Sequence, residues 1–548
     1  MIIFRIHFSL FLFLLTKFLI SQTNGLGFIY PIDREPVIKG NYGEIRPNHF
    51  HAGIDFSTDP IKNLPIKSIA DGYVSRIKIS SVGYGKVLYI THSNGYVSVY
   101  AHQKQYAQKI DAYIKAKQFE AKKNEIEIYP AKNELPVTKG EVVGFTGNSG
   151  RSSGPHLHFE IRDEKTEVPL NPLLFYNVAD NVKPTVTHIA IYNTTDTNNI
   201  NRQQLIPLNA KNGKAGTPQI TLKQNTFALA FSGYDVANAT NNKNNIYEVK
   251  ILLDDKLTYH HQLNNISFDN GRYVNYYSEK TEGLKLQKCF TPFCFDKSIY
   301  VHATAGGKIV LNDTLLHDLK LFVADERGNS NEFNFKVKCK NTVGYTSGKQ
   351  LVNAVCSKDI EIKKEDIEVY IKSGTLVKPT FISAYYNKLG KLSVGNSSEI
   401  LLKAVTIKFK LNNVLAGKEN KLVVLNDDNS LLPTFDNGWL SFETKSFGLF
   451  SVTYDTVAPT IKWTRAKKKQ LNISDANSLS FKVNDNLSGV GEYHVYINNV
   501  WQIAEYDAKA DVITCYFDNK TPKGKLDIKV EVLDKVGNKV EYKIFTSR

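Results

Sequence analysis

The sequence predicts a mainly β protein, with a β-rich N-terminal unit followed by tandem β-sandwich (Ig-like) domains. Three observations lead there. Tyr 29 and Phe 30 stand against a single Met, and aromatics favour pleated, half-buried surfaces. Short apolar runs are bounded by Gly, Asn, Asp and Pro, the punctuation of strands and turns. A motif pair also recurs: Asp180-Asn-Val-Lys-Pro184-Thr185 returns as Asp455-Thr-Val-Ala-Pro459-Thr460. Each copy is followed by short strands and a late Asp-x-x-Gly-Asn, Asp325–Asn329 and Asp534–Asn538.

At 548 residues the chain is too long for one core, and about three or four domains are expected. Hydrophobic content of 42% and charged content of 22% are those of a soluble globular protein. Net charge is +15, but Lys is spread throughout without the basic–aromatic clustering of a nucleic-acid surface, so no nucleic-acid partner is expected. A mild attraction to an anionic polymer such as a cell wall is compatible with that charge.

The elements follow in order. Residues 1–22 read as a secretory signal: Arg5 supplies a weak positive start, and Phe8–Ile20 is an apolar run broken by Ser9, Thr16 and Lys17. The run is short for a membrane span, so cleavage at Ser21–Gly25 is expected, an uncleaved anchor being the alternative. No Cys lies nearby to receive a lipid, and no later stretch is apolar enough to span a membrane. An exported protein, periplasmic, envelope-associated or secreted, is the expectation. In the β-rich unit, 26–175, Lys86–His92 and Tyr96–His102 form a hairpin around Ser93-Asn94-Gly95. A helical insertion spans about 104–136, with Tyr106, Ile110, Tyr113 and Ile114 forming one stripe of a helix over 104–123. A strand at Glu141–Thr146 follows, then Gly147–Gly150 loops into a strand carrying His156 and His158. The repeat places one sandwich at 180–342, with an inserted hairpin around Thr258–Phe295, and another at 456–548; 345–454 is also β-rich. Cys289-x4-Cys294 is spaced for a small loop disulfide, unpaired thiols being the alternative.

Chemistry concentrates in three stretches: His51-Ala-Gly-Ile-Asp55, Tyr100-Ala-His102 and Gly154-Pro-His156-Leu-His158. Six of the thirteen histidines lie between His49 and His158. Gly53 and its β-branched neighbour argue for extended backbone, where positions two or four apart share a face; His51 with Asp55, and His156 with His158, therefore point into common space. Four histidines and a carboxylate exceed the three ligands that a Zn²⁺ hydrolase needs beside an open water position, leaving partners for proton transfer.

These motifs, with Gly150-Arg-Ser-Ser-Gly-Pro-His-Leu-His-Phe-Glu160, Ile69-Ala-Asp-Gly72, Gly83-Tyr-Gly85 and Lys139–Gly144, resemble the lysostaphin/LytM-type zinc endopeptidases of bacterial cell walls. The resemblance covers about residues 40–172. It implies a small antiparallel β core with the metal in an open groove, Zn²⁺ held by His51, Asp55 and His158, and His102 and His156 flanking the reacting water as general base and transition-state donor. Tyr42 is a weak candidate for the Tyr that often stabilises the oxyanion in that family, a packing role serving equally well. His102 and His156 lie 54 residues apart, longer than in compact members, and the insertion is expected either to wall the cleft or to decorate the surface. His49 is set aside as surplus, His92 as an exposed hairpin residue, and His260-His261 because adjacent strand residues face apart. Glu160 continues the His156/His158 face, and Asp325 and Asp534 are assigned to turns rather than Ca²⁺.

The expected function is a zinc-dependent endopeptidase that hydrolyses peptide cross-links of peptidoglycan, with an envelope partner met through the sandwiches. The alternative is a non-catalytic envelope scaffold or hydrolase activator that docks through the peptidase-like domain.

Overall fold

The computed structural model describes residues 27–58, 63–194, 200–208, 218–238, 240–292, 299–342, 353–387, 391–411, 417–427, 429–464 and 472–548. The expected signal segment lies outside them. The protein is mainly β, as the sequence predicts: an N-terminal β core is followed by successive pairs of packed sheets.

The N-terminal sheet runs, in spatial order, β1 (Ile38–Gly40), β2 (Ile54–Ser57), β7 (His156–Asp163), β5 (Tyr96–Ala101), β4 (Lys86–His92), β3 (Gly72–Ile79) and β6 (Ile126–Ile128), with each neighbouring pair antiparallel. The β4–β5 hairpin turns at Gly95, whose φ of 83° suits glycine. Ile54, Phe56, Tyr100, Leu157 and Phe159 are fully buried in one apolar cluster beneath this sheet, each contributing on the order of 2 kcal/mol by burial. β2, β4, β5 and β7 are buried nearly end to end, so the ladder and its register are strongly specified.

The helix α1 covers Gln108–Ala121 and buries Ile110, Ile114 and Gln118. It starts later than the apolar stripe suggests because Gln105–Tyr106 instead pairs with Val142–Phe145 in a three-stranded sheet with Pro65–Lys67. Buried Tyr106 donates its hydroxyl to Lys78 O at 2.9 Å, so the residue that opened the stripe belongs to a strand.

Further along, two six-stranded sheets enclose an apolar core that includes Ile189, Phe231, Ile251, Leu321 and Val337. Two five-stranded sheets follow between Ile360 and Tyr454, and two four-stranded sheets between Thr460 and Ser547. Tyr273 and Tyr277, from the short helical segment inside the first pair of sheets, join the N-terminal apolar cluster. Cys289 is a free, buried thiol, so it does not take part in the loop disulfide that its spacing suggested; Cys294 lies outside the described residues. Among the described residues no helix is long and apolar enough to cross a membrane.

Candidate metal centre

Strand register assembles the site. In β7, His158 stands opposite Asp55 of β2 on one side and Ala101 of β5 on the other. Directly opposed residues place their Cβ atoms about 5 Å apart on one face, so Asp55 and His158 must meet. Gly53 lets the incoming chain cross β7: a Cβ there would lie 2.2 Å from Phe159 O. His102 follows β5 with φ of 57°, a left-handed conformation costing about 1 kcal/mol for a residue with a Cβ. Its ring lies 4.9 Å from that of His156 and 5.9 Å from that of His158.

The three candidate ligand atoms form a tight triangle. His51 Nε2 is 2.9 Å from His158 Nδ1, and Asp55 Oδ1 is 3.1 Å from the first and 3.0 Å from the second. The opposite ring nitrogens settle the tautomers. His51 Nδ1–H donates to Asn41 O at 2.8 Å, and His158 Nε2–H donates to Glu160 Oε1 at 2.8 Å. In the neutral tautomers that these bonds select, two imidazole lone pairs and a carboxylate oxygen face one point, which a metal cation can occupy in place of a proton shared between His158 Nδ1 and Asp55. Burial pushes the His158 pKa down, but hydrogen bonds to Asp55 and Glu160 outweigh it and raise it to about 8. Burial opposes ionisation of Asp55 too, yet His51, His156 and His158 hold its carboxyl well below the usual range. The donor set of two imidazoles and one carboxylate, with a triangle edge near 3 Å, fits Zn²⁺ bonded at ~2.0–2.2 Å.

A supporting layer holds these side chains. Glu160 is fully buried; beyond His158 it receives Arg162 Nε at 2.6 Å and the Tyr84 hydroxyl. Burial disfavours its charge, but Arg162 and His158 bring its pKa to about 2. The Tyr84 ring stacks on His158 at 5.2 Å. The Arg46 guanidinium pairs with Asp55 Oδ2 and, at 3.1 Å, with Glu44, leaving Oδ1 to the histidines. Such outer partners fix ligand orientation and basicity.

The remaining two histidines sit beside the triangle. His102 Nδ1–H donates to Ser149 O at 2.8 Å and His156 Nδ1–H to Gly154 O at 2.8 Å. Burial first, then His158 and His156, lower the His102 pKa to about 3. His156 Nε2 is buried without a hydrogen-bond partner, 3.4 Å from Asp55 Oδ1. The loop bearing Ser149 seats against Gly85 and Gly150, both at positive φ; a Cβ on Gly150 would strike Gly85 N at 2.3 Å.

The Peptidase family M23 model matches residues 49–125 and 121–172. A lysostaphin/LytM-type M23 peptidase domain lies near the N-terminus. The M23 domain is 34% identical over 123 residues to the DD-carboxypeptidase/endopeptidase Mpg of Neisseria meningitidis, covering 22% of this chain and 22% of that protein. It is 30% identical over 163 residues to an uncharacterized metalloprotease of Haemophilus influenzae, covering 28% of each. The solved catalytic domain of lysostaphin from Staphylococcus simulans aligns at 21% identity and a TM-score of 0.20, covering 26% of this chain and 91% of that one. The chain thus spans about a fifth to a quarter of the length of the curated relatives it matches.

Other sequence candidates fall elsewhere. Tyr42 is buried and donates its hydroxyl to Pro169 O at 2.8 Å, a packing position. His92 is buried rather than exposed, because it bridges Asp71 O and Ser98 Oγ at 3.0 and 2.7 Å. His49 is exposed. His260 pairs with Glu248 while His261 is buried against Tyr259. The insertion meets the last pair of sheets: Asn124 Nδ2 donates to Tyr493 O at 2.7 Å, and Phe119 packs edge-on against Trp501 at 5.5 Å. From the same quarter Lys509 Nζ donates to Asn148 O at 2.7 Å and Ser152 O at 3.2 Å, bracing the loop that holds His102. Sequence reasoning missed Arg46, Tyr84 and Lys509; Tyr84 carried a signal, as the residue between two glycines of a recognised stretch.

Proposed function

We propose that this protein is an exported zinc-dependent endopeptidase that hydrolyses peptide cross-links of peptidoglycan. The observation that supports it most is the convergence of His51 Nε2, His158 Nδ1 and Asp55 Oδ1, acceptor to acceptor, beside two further histidines. His51, Asp55 and His158 would hold Zn²⁺, which when bound supplies a water of lowered pKa and a Lewis acid for the peptide carbonyl. His102, kept neutral by burial, is suited to accept the proton of the attacking water. His156, with Nε2 free of other partners, is suited to donate to the oxygen that gains charge. The backbone-tethered Nδ1–H leaves His102 Nε2 as an acceptor, as a base requires, whereas His156, tethered the same way, donates from Nε2 only as the imidazolium with both nitrogens protonated. Glu160, Tyr84 and Arg46 orient the ligands and touch no reacting atom. The following domains, which we read as Ig-like sandwiches, would present the peptidase to the wall or to an envelope protein.

Digestion of purified peptidoglycan by the protein, with and without chelator and beside His158→Ala, tests this reading. Metal-dependent loss of cross-linked muropeptide dimers, read by mass and absent in the variant, is expected. Intact dimers with stoichiometric Zn²⁺ bound would overturn it in favour of the scaffold reading.

A further inference from the structure

Two acidic clusters lie far from the histidines and are built alike. In one, single oxygens of Asp180, Asp235 and Asp325 lie within 4.8 Å of one another; in the other, those of Asp455, Asp485 and Asp534 do. The clusters occupy equivalent places in the first and last pairs of sheets. Asp180 and Asp455 precede Pro184-Thr185 and Pro459-Thr460 by the same spacing. Thr185 then pairs with Tyr234, and Thr460 with Asn484, so Asp235 and Asp485 are each the next residue beyond the paired position. The third carboxylate opens the Asp-x-x-Gly-Asn turn.

Turn chemistry accounts for part of each cluster. Asp325 Oδ1 accepts from the backbone N–H groups of Arg327 and Asn329 at 2.9 and 2.8 Å, and Asp534 Oδ1 from those of Val536 and Asn538 at 3.0 and 2.8 Å. The Asn side chains clasp the entering segments, through Asp180 O at 3.1 Å and Asp455 O at 2.9 Å. A turn needs one Asp. The flanking carboxylates cap local backbone as well, Asp180 Oδ1 accepting from Val182 N–H at 3.1 Å, Asp455 Oδ2 from Ser488 N–H at 2.9 Å and Asp485 Oδ2 from Leu487 and Gly489 N–H at 3.1 and 2.7 Å. Yet such caps do not require three carboxylates to converge, and repulsion opposes their doing so.

In the first cluster the middle carboxylate is the unexplained part. Asp235 is 4% exposed, yet its Oδ1 has no hydrogen-bond partner, and neither has Oδ1 of Asn244, 4% exposed and bridged to it. Both residues line a cavity of about 20 Å³, together with Asp180, Glu326 and Arg327. Arg327 is engaged elsewhere, donating to Leu173 O and Asn177 Oδ1. In the last pair of sheets, Oδ1 of Asp485 and Oγ of Ser488 are likewise buried without partners.

We propose that each cluster is a Ca²⁺ site, so that the chain carries two structural Ca²⁺ ions, one where each of these two β-sandwiches begins. The donors are all oxygen, which selects a hard cation over Zn²⁺. Oxygens that all lie within 4.8 Å of one another are close enough to share one Ca²⁺ bonded to each at ~2.4 Å. The ion would tie the segment entering the sandwich to two of its strand ends, stiffening the joint with whatever precedes it.

Equilibrium dialysis of the full-length chain against radiolabelled Ca²⁺ at up to about 1 mM, the range of extracellular modules, tests this. Two ions per chain are expected for the native protein and for His158→Ala, one for Asp235→Asn or Asp485→Asn, and none for the double variant. Fewer than two ions in the native protein, or any ion retained by the double variant, would overturn the assignment. Melting of the native protein gives a check free of variants: Ca²⁺ at 1 mM must raise the midpoint, and an unchanged midpoint would overturn the proposal.

Discussion

The histidine triangle and the aspartate clusters solve the same problem, gathering like acceptors around one point, by different means. At the triangle, the atoms that do not face the centre are tethered: His51 to Asn41, His158 to Glu160, Asp55 to Arg46. The aspartate clusters are held from behind by turns and keep buried oxygens with no partner at all. The difference teaches that donor softness and the supporting layer, more than the number of acidic or basic residues, set two clusters of acceptors apart. Imidazoles with fixed tautomers suit Zn²⁺ and reactivity, whereas all-oxygen cages suit Ca²⁺ and rigidity.

The comparison breaks most visibly at the triangle itself. His51→Ala and Asp55→Ala are expected to lose both bound Zn²⁺, read by elemental analysis, and muropeptide release. His102→Ala and His156→Ala are expected to retain the metal while turnover falls about 10²–10⁴-fold; full activity in His102→Ala would refute its role as base. Glu160→Gln separates the supporting layer from the ligands, with Zn²⁺ affinity expected to weaken about 10–100-fold in competition with a chelating dye.

A pH experiment sharpens the other side. Asp235 and Glu326 have carboxyls raised by burial to about 8 and about 7. Such groups hold protons more tightly folded than unfolded, so their contribution is complete below the ordinary carboxylate range near ~4 and is lost as pH rises through 7 to 8. In His158→Ala, freed of Ca²⁺, the melting midpoint should fall by on the order of 5 °C between pH 5 and 8; added Ca²⁺ should flatten that slope. A slope unaffected by Ca²⁺ would separate the protonation from the ion. The smallest expected effect is at the brace between domains: Lys509→Ala should lower turnover less than tenfold with Zn²⁺ content unchanged, since it supports the Ser149 loop and not the metal.

The two kinds of site were unequally legible. The triangle was visible in part: period-two spacing in His156-x-His158 and the His51–Asp55 interval each place a pair on one face, and the resemblance to the lysostaphin/LytM-type peptidases singled out three of those residues as ligands. The aspartate clusters were half visible: the recurring Asp…Pro and Asp-x-x-Gly-Asn stretches were readable as turns, but nothing in the spacing announced Asp235 or Asp485, which arrive by strand pairing. The apolar stripe from Tyr106 to Ile114 was misread at its start because a pairing partner, Val142–Phe145, claims Tyr106.

By itself the sequence determined the mainly β character, the hairpin and the pairs His51/Asp55 and His156/His158 that share a face, since these depend on local periodicity and turn chemistry. Tertiary structure alone decided which strands lie side by side, and therefore that Asp55 and Ala101 flank His158, that Arg46 and Tyr84 support the ligands, and that Lys509 reaches the Ser149 loop. Register between distant strands and contacts between separate domains are settled by long-range packing, which no local pattern encodes.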